Sequence, residues 1–272
     1  FGLDSGIVMH TDNALNAMPG AAQPFTGGPG TSPHLISVLN TIGSSNSTLN
    51  DLSAIQFSFY ATGDSVEFEY IFASNEYTGY TCSPYNDVFG FFLSGPGIAG
   101  PWSNGAVNLA YIPNTTPQMP ITISSVNSVT PINQQYFVNN QNGLDTIADA
   151  DGYTTVFTAQ ALVQCGSTYH IKLAIADGSD SGLSSYVWLE AGSFASPELQ
   201  VYDNLGIDST VMDIACGADI ILTANVADST ATFEWFDSTS VVFSTDSSVS
   251  VGTGSYVVAA TINGCTFFSD TL

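Results

Sequence analysis

The segment "SVEFEYIFA", residues 65–73, alternates with a period of two, so that Val66, Phe68, Tyr70 and Phe72 fall on one face and Glu67 and Glu69 on the other. That period belongs to a half-buried β-strand, whose successive side chains point to opposite faces. Segments of the same kind recur as "VFGFFLSG", "YTTVFTA", "TYHIKLAIAD" and "SYVWLEAGSF", separated by Gly, Pro, Asn and Ser clusters that read as turns. Helical periodicity is nearly absent. The exception is "SPHLISVLNTI" at 32–42, where Ser32 is placed to cap a helix and Leu35, Val38 and Leu39 share a face. Many short strands with this punctuation predict an all-β protein built on a jelly-roll-like β-sandwich.

The chain has 272 residues and 44% hydrophobic content, including 17 Phe and 12 Tyr, which is enough for two cores. The character of the sequence changes at "SFASPELQVYD", where Pro197 follows a Ser/Ala stretch. A boundary near 195–199 gives a first domain over 1–196 and a second over 197–272. In the second, Cys216, Trp235 and Cys265 occur in the order of an immunoglobulin-like sandwich, whose inter-sheet bond packs on a buried Trp. A smaller immunoglobulin-like β-sandwich is therefore expected there. The stretch "GTGSYVVAATINGC" resembles the Gly-x-Tyr strand and Asn-Gly-Cys turn of PKD-like and immunoglobulin-like modules of bacterial surface proteins.

Against 24 Asp and Glu the chain has one Lys or Arg, Lys172, for a formal net charge of −23. Salt bridges cannot neutralise that, so cations must come from solvent. The charge also excludes nucleic acid and anionic membranes as partners, because both are bound through Lys and Arg. No apolar run reaches the roughly 18 residues of a membrane span, and no signal peptide is seen. A chain that starts at Phe1 rather than Met reads as a segment or mature form of something longer. With few charges and a surface rich in hydroxyls and amides, it reads as an extracellular, cell-surface β-protein.

Four cysteines allow three pairings, and none shows CxxC spacing. In an oxidising compartment, one disulfide per domain is the natural arrangement, Cys82 with Cys165 and Cys216 with Cys265.

The stretch "ASNEYTGYTCSPYNDVFGFFLSG", residues 73–95, places Glu76, Cys82, Asn86 and Asp87 where two apolar strands meet. A second acidic loop, "ADGSDSG", follows the strand that ends near 176. Calcium takes six to eight hard oxygen ligands. Glu76, Asp87, Asp177 and Asp180, with oxygens from Asn86 or Ser181, form a candidate calcium site that pins the two loops together. The alternative is solvated turn residues. The disulfide competes with this site: Cys165 lies before the 168–176 strand and Asp177 after it, a span of about 30 Å. The five residues from Cys82 to Asp87 reach about 18 Å. The disulfide takes precedence, which leaves Glu76 with Asp87 and Asp177 with Asp180 as two smaller groups.

Tyr77, Tyr80 and Tyr85 fall in the first of these loops, either as stacking platforms for a sugar or peptide or as cover for the disulfide. His10, His34 and His170 are scattered and read as structural. Lys172 is expected to pair with Glu67 or Glu69, with an isopeptide bond as the alternative. No nucleophile motif, phosphate loop or zinc signature appears, so the chain reads as non-enzymatic, although dispersed carboxylates leave a glycoside hydrolase open.

Taken in order, "GIVMHTDNA", "GDSVEFEYIFASNEY", "NDVFGFFLSGPG", "YHIKLAIADGSDS" and "VWLEAGSF" resemble the choice-of-anchor L domain of bacterial extracellular proteins, over roughly residues 6–194. The resemblance implies a surface location, type IX secretion and an anchor elsewhere in the protein, and it supplies no activity. The 73–95 stretch also resembles the calcium-binding part of CUB domains, in which a Glu, a Cys and an Asp follow one strand and an Asp a later one. Asp-Ser/Thr triplets at 145, 208, 228 and 237 resemble an O-glycosylation signal. The expectation is an adhesin or surface-appendage segment for attachment or assembly, with Ca2+ as cofactor. Its partner is then a cell-surface glycan or protein, or other copies or domains of the same assembly, without membrane insertion. A calcium-dependent lectin is the runner-up.

Overall fold

Alternating strands bury one face only, and two such faces closing on each other make the first sandwich. The structure, a computed structural model, describes residues 2–12, 29–42, 48–61, 63–141, 150–193, 199–204, 218–226, 230–262 and 264–272. The first part of the chain holds β1 (Gly6–His10), β2 (Pro29–Gly30), α1 (Pro33–Thr41), β3 (Leu49–Tyr60), β4 (Ser65–Ser74) and β5 (Val88–Ser94). It continues with β6 (Val107–Asn108), β7 (Phe137–Asn139), β8 (Gly152–Thr154), β9 (Phe157–Leu162), β10 (Thr168–Gly178) and β11 (Ser185–Glu190). One sheet runs β1-β11-β4-β8-β7, with β9 also on β4, and the other runs β2-β3-β10-β5-β6. Their central ladders are antiparallel, with Val187 opposite Phe72 and Leu173 opposite Phe91.

The aromatic face of β4 fills the space between the sheets. Tyr70 meets Phe91 edge-on with ring centroids 4.8 Å apart, and Phe72 stacks on Phe89 at 5.0 Å. Such pairs add about 0.5–1.5 kcal/mol each beyond the area they bury. On β5 the alternate residues Val88 and Phe92 face the other way, onto Leu35, Val38 and Leu39 of α1. That helix is the one anticipated at 32–42: Ser32 caps it by accepting from the Leu35 N–H at 3.5 Å, and Pro33 opens its first turn.

The second part holds β12 (Gln200–Tyr202), β13 (Ile220–Asn225), β14 (Thr232–Phe236), β15 (Val242–Ser244), β16 (Ser248–Val251), β17 (Val257–Ile262) and β18 (Cys265–Phe268). Its two sheets, β12-β13-β16 and β15-β14-β17-β18, form a smaller β-sandwich, so the protein is all-β throughout. Trp235 is fully buried among Val201, Leu222, Val249 and Val258, and its indole N–H donates to the Asp246 carbonyl at 2.8 Å. Cys216 and most of the anticipated boundary lie outside the described residues. Two compact units emerge, one of 1–59, 67–161 and 168–194, the other of 60–66, 162–167 and 195–272. Two short segments from the first part of the sequence thus belong with the second unit.

Two pairings differ from expectation. Cys82 is not bonded to Cys165: its Sγ lies 3.0 Å from Thr130 Oγ1 and its N–H donates to Ser124 Oγ, whereas Cys165 packs against Cys265. The eleven residues of β10 explain this, because they hold the loop before the strand roughly 35 Å from the loop after it, and the 74–87 segment sits at the far end. Nor does Lys172 share a sheet with Glu67 and Glu69. It lies on β10 opposite Phe92, while those glutamates are on β4, and Glu69 interacts with Glu190 instead.

Candidate functional site

Strand parity carries the candidate site into the core. Asp177 continues the inward series Ile171, Leu173, Ile175 on β10, and Asp87 stands one step before the inward Phe89 and Phe91. Ser185 lies opposite Ser74, on the same inward face as Val187 and Phe72. The turn after β4 then brings Glu76 to the same end, with its N–H donating to Ser74 Oγ at 2.9 Å. Glu76, Asn86, Asp87 and Asp177 are all at most 4% exposed. Three acidic side chains, those of Glu76, Asp87 and Asp177, therefore close one end of a hydrophobic core.

The hydrogen bonds converge on Asp87. The Gly178 N–H donates to its Oδ1 at 3.0 Å and the Ser185 hydroxyl to its Oδ2 at 2.6 Å. Asp177 shares a hydrogen bond with Asp87 and accepts another from Thr11, and the Asp87 N–H donates to the Glu76 carboxylate. Backbone contacts lock the loops, with Ser179 Oγ donating to the Pro84 carbonyl at 2.9 Å and Thr11 N–H to that of Ser185 at 3.2 Å. Glu76 Oε2, Asn86 Oδ1 and Asp177 Oδ1 are buried acceptors without a hydrogen-bond donor. An unsatisfied buried polar atom costs about 1–3 kcal/mol, so those of Glu76 and Asp177, on either side of Asp87, need a physical reason.

Burial pushes the Glu76 carboxyl up to about 9, and the Asp87 and Asp180 charges add to the rise against the pull of the Asp87 N–H. Burial likewise raises Asp177, helped by the charges of Asp87 and Asp51 and opposed by the Thr11 hydroxyl. Asp87 is raised by the same burial against three donors, from Ser185, Gly178 and Asp177. Lys172 gives no relief, because its parity on β10 turns it to the α1 face, where its charge acts on His34. The cluster is thus arranged around shared protons. Among the described residues, no three His, Cys, Asp or Glu side chains converge as a ready-made metal cage. The carboxyls bond to one another, to the Ser185 and Thr11 hydroxyls, and to backbone N–H groups.

Of the residues anticipated as calcium ligands, Glu76, Asp87 and Asp177 are brought together, whereas Asn86, buried next to Asp87 in the chain, lines a cleft with Ser83 and Pro84. Asp180 sits exposed at the rim, near enough to act on Glu76 and Asp87, with its Oδ1 accepting from Gly182 N–H. Ser181 is half-buried in the same loop and makes none of the cluster's hydrogen bonds. The expected split into two smaller groups is corrected, since Asp87 touches both Glu76 and Asp177. Thr11, Asp51 and Ser185 went unanticipated. For Ser185 the signal was available in the inward parity of "SYVWLEAGSF"; Thr11 and Asp51 carried none.

The tyrosines separate. Tyr77 is 1% exposed and packs on Phe137 at 4.8 Å, so it is core rather than a binding platform. Tyr80 and Tyr85 are 43% and 37% exposed and meet edge-on at 5.8 Å. Neighbouring residues Ser83, Asn86, Ser124, Ser125 and Ser179 help line a cleft of about 760 Å³. The histidines are held structurally: His10 stacks on Tyr186, His34 on Phe92, and His170 Nδ1 lies 2.6 Å from Ser58 Oγ. Of the Asp-Ser/Thr triplets, only that at 237 is fully described, with Thr239 Oγ1 and N–H both on Asp237 Oδ1 in a turn.

Compared with known proteins, residues 1–195 match the profile of the family described as the Choice-of-anchor L domain. No curated protein matches the chain. Among solved structures, it is similar to a beta-glucuronidase of an uncultured Clostridium sp., at 9% identity and a TM-score of 0.25, over 98% of this chain and 45% of that one. The chain spans less than half of that protein, and a likeness at this score carries no argument about fold or activity. Among the described residues, no helix is long and apolar enough to cross a membrane.

Proposed function

The chain belongs to the choice-of-anchor L family, which places it among surface-associated extracellular proteins, and from that premise we propose that it is a non-enzymatic, calcium-stabilised segment of a bacterial adhesin or surface appendage. The observation that supports the calcium reading is the Glu76–Asp87–Asp177 cluster, buried and with two acceptor oxygens, Glu76 Oε2 and Asp177 Oδ1, facing no donor. A hard dication displacing the shared protons would be bound by oxygens alone, as calcium prefers. It would tie the 74–87 turn to the end of β10 and relieve the repulsion of a chain with one Lys or Arg. The work of the module is then attachment or assembly through a cell-surface glycan or protein, or through other copies or domains of the same assembly. Export by the type IX route and a PKD-like identity of the second unit belong to the same reading.

Titration calorimetry of chelator-treated protein with calcium tests it. Saturable binding that tightens as pH rises, with proton release that shrinks as the carboxyls ionise, is expected; heats equal to those of a sodium control at matched ionic strength overturn it.

A calcium-dependent lectin is the second reading, favoured by the exposed Tyr80–Tyr85 pair near a cleft whose lining mixes serine hydroxyls with Ile42, Met119 and Ile132. A glycan array run in calcium and in chelator separates the two, because a module that only spaces or assembles binds no sugar in either buffer. Hydrolysis has less support, since Glu76, Asp87 and Asp177 are buried where a polysaccharide does not reach. Turnover of common polysaccharides by the native protein, lost in Glu76→Gln and Asp177→Asn, would reverse that order.

A further inference from the structure

Within the second unit, two cysteines far apart in sequence come together. Cys165 lies in the loop between β9 and β10, within the segment 162–167 that belongs to the second unit. Backbone bonds fix this loop: Ala61 N–H donates to the Ser167 carbonyl, Gly166 N–H to that of Ala61, both at 2.9 Å, and Val163 N–H to that of Asp64 at 2.8 Å. Gly166 has a φ of 75°, which lets the chain turn tightly straight after the cysteine. Cys265 opens β18, opposite Ile262 of β17, and is 4% exposed in a cluster with Ala260, Ile262 and Phe267. Cys165 packs against that cluster, with its thiol in hydrogen-bonding contact with that of Cys265.

We propose that Cys165 and Cys265 are joined by a disulfide that fastens the β9–β10 loop to β18. Two buried or half-buried thiols already in contact, each carried on a backbone held by hydrogen bonds, bring the sulfurs to one another without a rearrangement of either segment. The loop closed is about 100 residues long, near the upper end of the entropic effect on the unfolded chain. An extracellular setting favours the oxidised form.

The chemistry needs a disulfide donor, for which oxidised glutathione serves. The half-buried Cys165 thiolate attacks one donor sulfur, breaking the donor S–S bond and releasing one thiolate as a mixed disulfide forms. The Cys265 thiolate then attacks the Cys165 sulfur and releases the second. Two protein thiols are oxidised, one donor disulfide is reduced to two thiols, and the two protons go to the released thiolates. Burial and the neighbouring Cys165 push the Cys265 thiol up to about 11, consistent with its acting second.

The test equilibrates the whole chain in a buffer of oxidised and reduced glutathione, quenches with acid, alkylates free thiols and digests without reduction, using a protease that cuts after acidic residues. A cross-linked peptide pair containing Cys165 and Cys265, with Cys82 and Cys216 alkylated, is expected. Cys265→Ser should leave Cys165 fully alkylated. Alkylation of both Cys165 and Cys265 in the native chain overturns the proposal, and so does a link from either one to Cys82 or Cys216.

Discussion

Glu76→Gln separates the two states of the buried cluster. Folding moves the Glu76 carboxyl from its ordinary 4.5 to about 9. A carboxyl raised on folding binds its proton more tightly in the native state, so its contribution is fully present below about 4.5 and is lost as pH rises toward about 9. The loss accumulates at about 1.4 kcal/mol per pH unit, which makes roughly 3 kcal/mol near pH 7 without calcium. Gln keeps the shape and an oxygen that accepts from the Asp87 N–H, and it carries no titratable proton. In chelator near neutral pH, Glu76→Gln should therefore be more stable than the native protein, by roughly 6–12 °C in the melting temperature of the first unit. In calcium at about a thousandfold excess over Kd the order should reverse, because the ion adds RT ln(1 + [L]/Kd), about 4.1 kcal/mol there, only to the protein that keeps its ligands. The assay is thermal unfolding from pH 5 to 9 in chelator, and in millimolar calcium against sodium at matched ionic strength. Native and variant curves that coincide in chelator at every pH would refute the buried titration. A calcium-specific shift undiminished in both Glu76→Gln and Asp177→Asn would refute the site.

Ser185→Ala removes the 2.6 Å donor to Asp87 Oδ2 and should destabilise the calcium-free protein by about 1.5–3 kcal/mol in urea unfolding. Gly6→Ala should weaken the pairing of β1 with β11 by about 1–3 kcal/mol, since its Cβ would lie 1.9 Å from the Leu189 carbonyl oxygen; faster amide exchange at Ile7 to His10 would report it. Trp235→Phe loses volume and the bond to the Asp246 carbonyl, so it should lower the stability of the second unit by roughly 2–4 kcal/mol while the calcium response of the first persists. Tyr80→Ala should change stability by less than about 1 kcal/mol, given its exposure, and should abolish any signal on a glycan array.

The sequence by itself determined the faces. A period of two is a property of consecutive residues, so the inward set Val66, Phe68, Tyr70 and Phe72, and the one α-helix of the described residues, at 33–41, were legible before any contact was known. The same is true of the capped helix at Ser32 and of a charge balance that leaves buried carboxylates without a cationic partner. Parity even pointed Asp87, Asp177 and Ser185 inward. The tertiary structure decided which strand ends meet. Gly178 and Ser185, some 91 and 98 residues from Asp87, reach it only because β5 pairs with β10 and β11 with β4 in one register. The same registers set Cys82 and Cys165 at opposite ends of β10, so an even cysteine count suggested a bond that the geometry refuses. Tyr77 looked like a loop tyrosine for a related reason: whether a turn residue faces solvent or Phe137 depends on what the far strands bring over it. Periodicity is local, whereas register is set by the fit of whole hydrophobic faces, and only the second fixes which loops share an end of the sandwich.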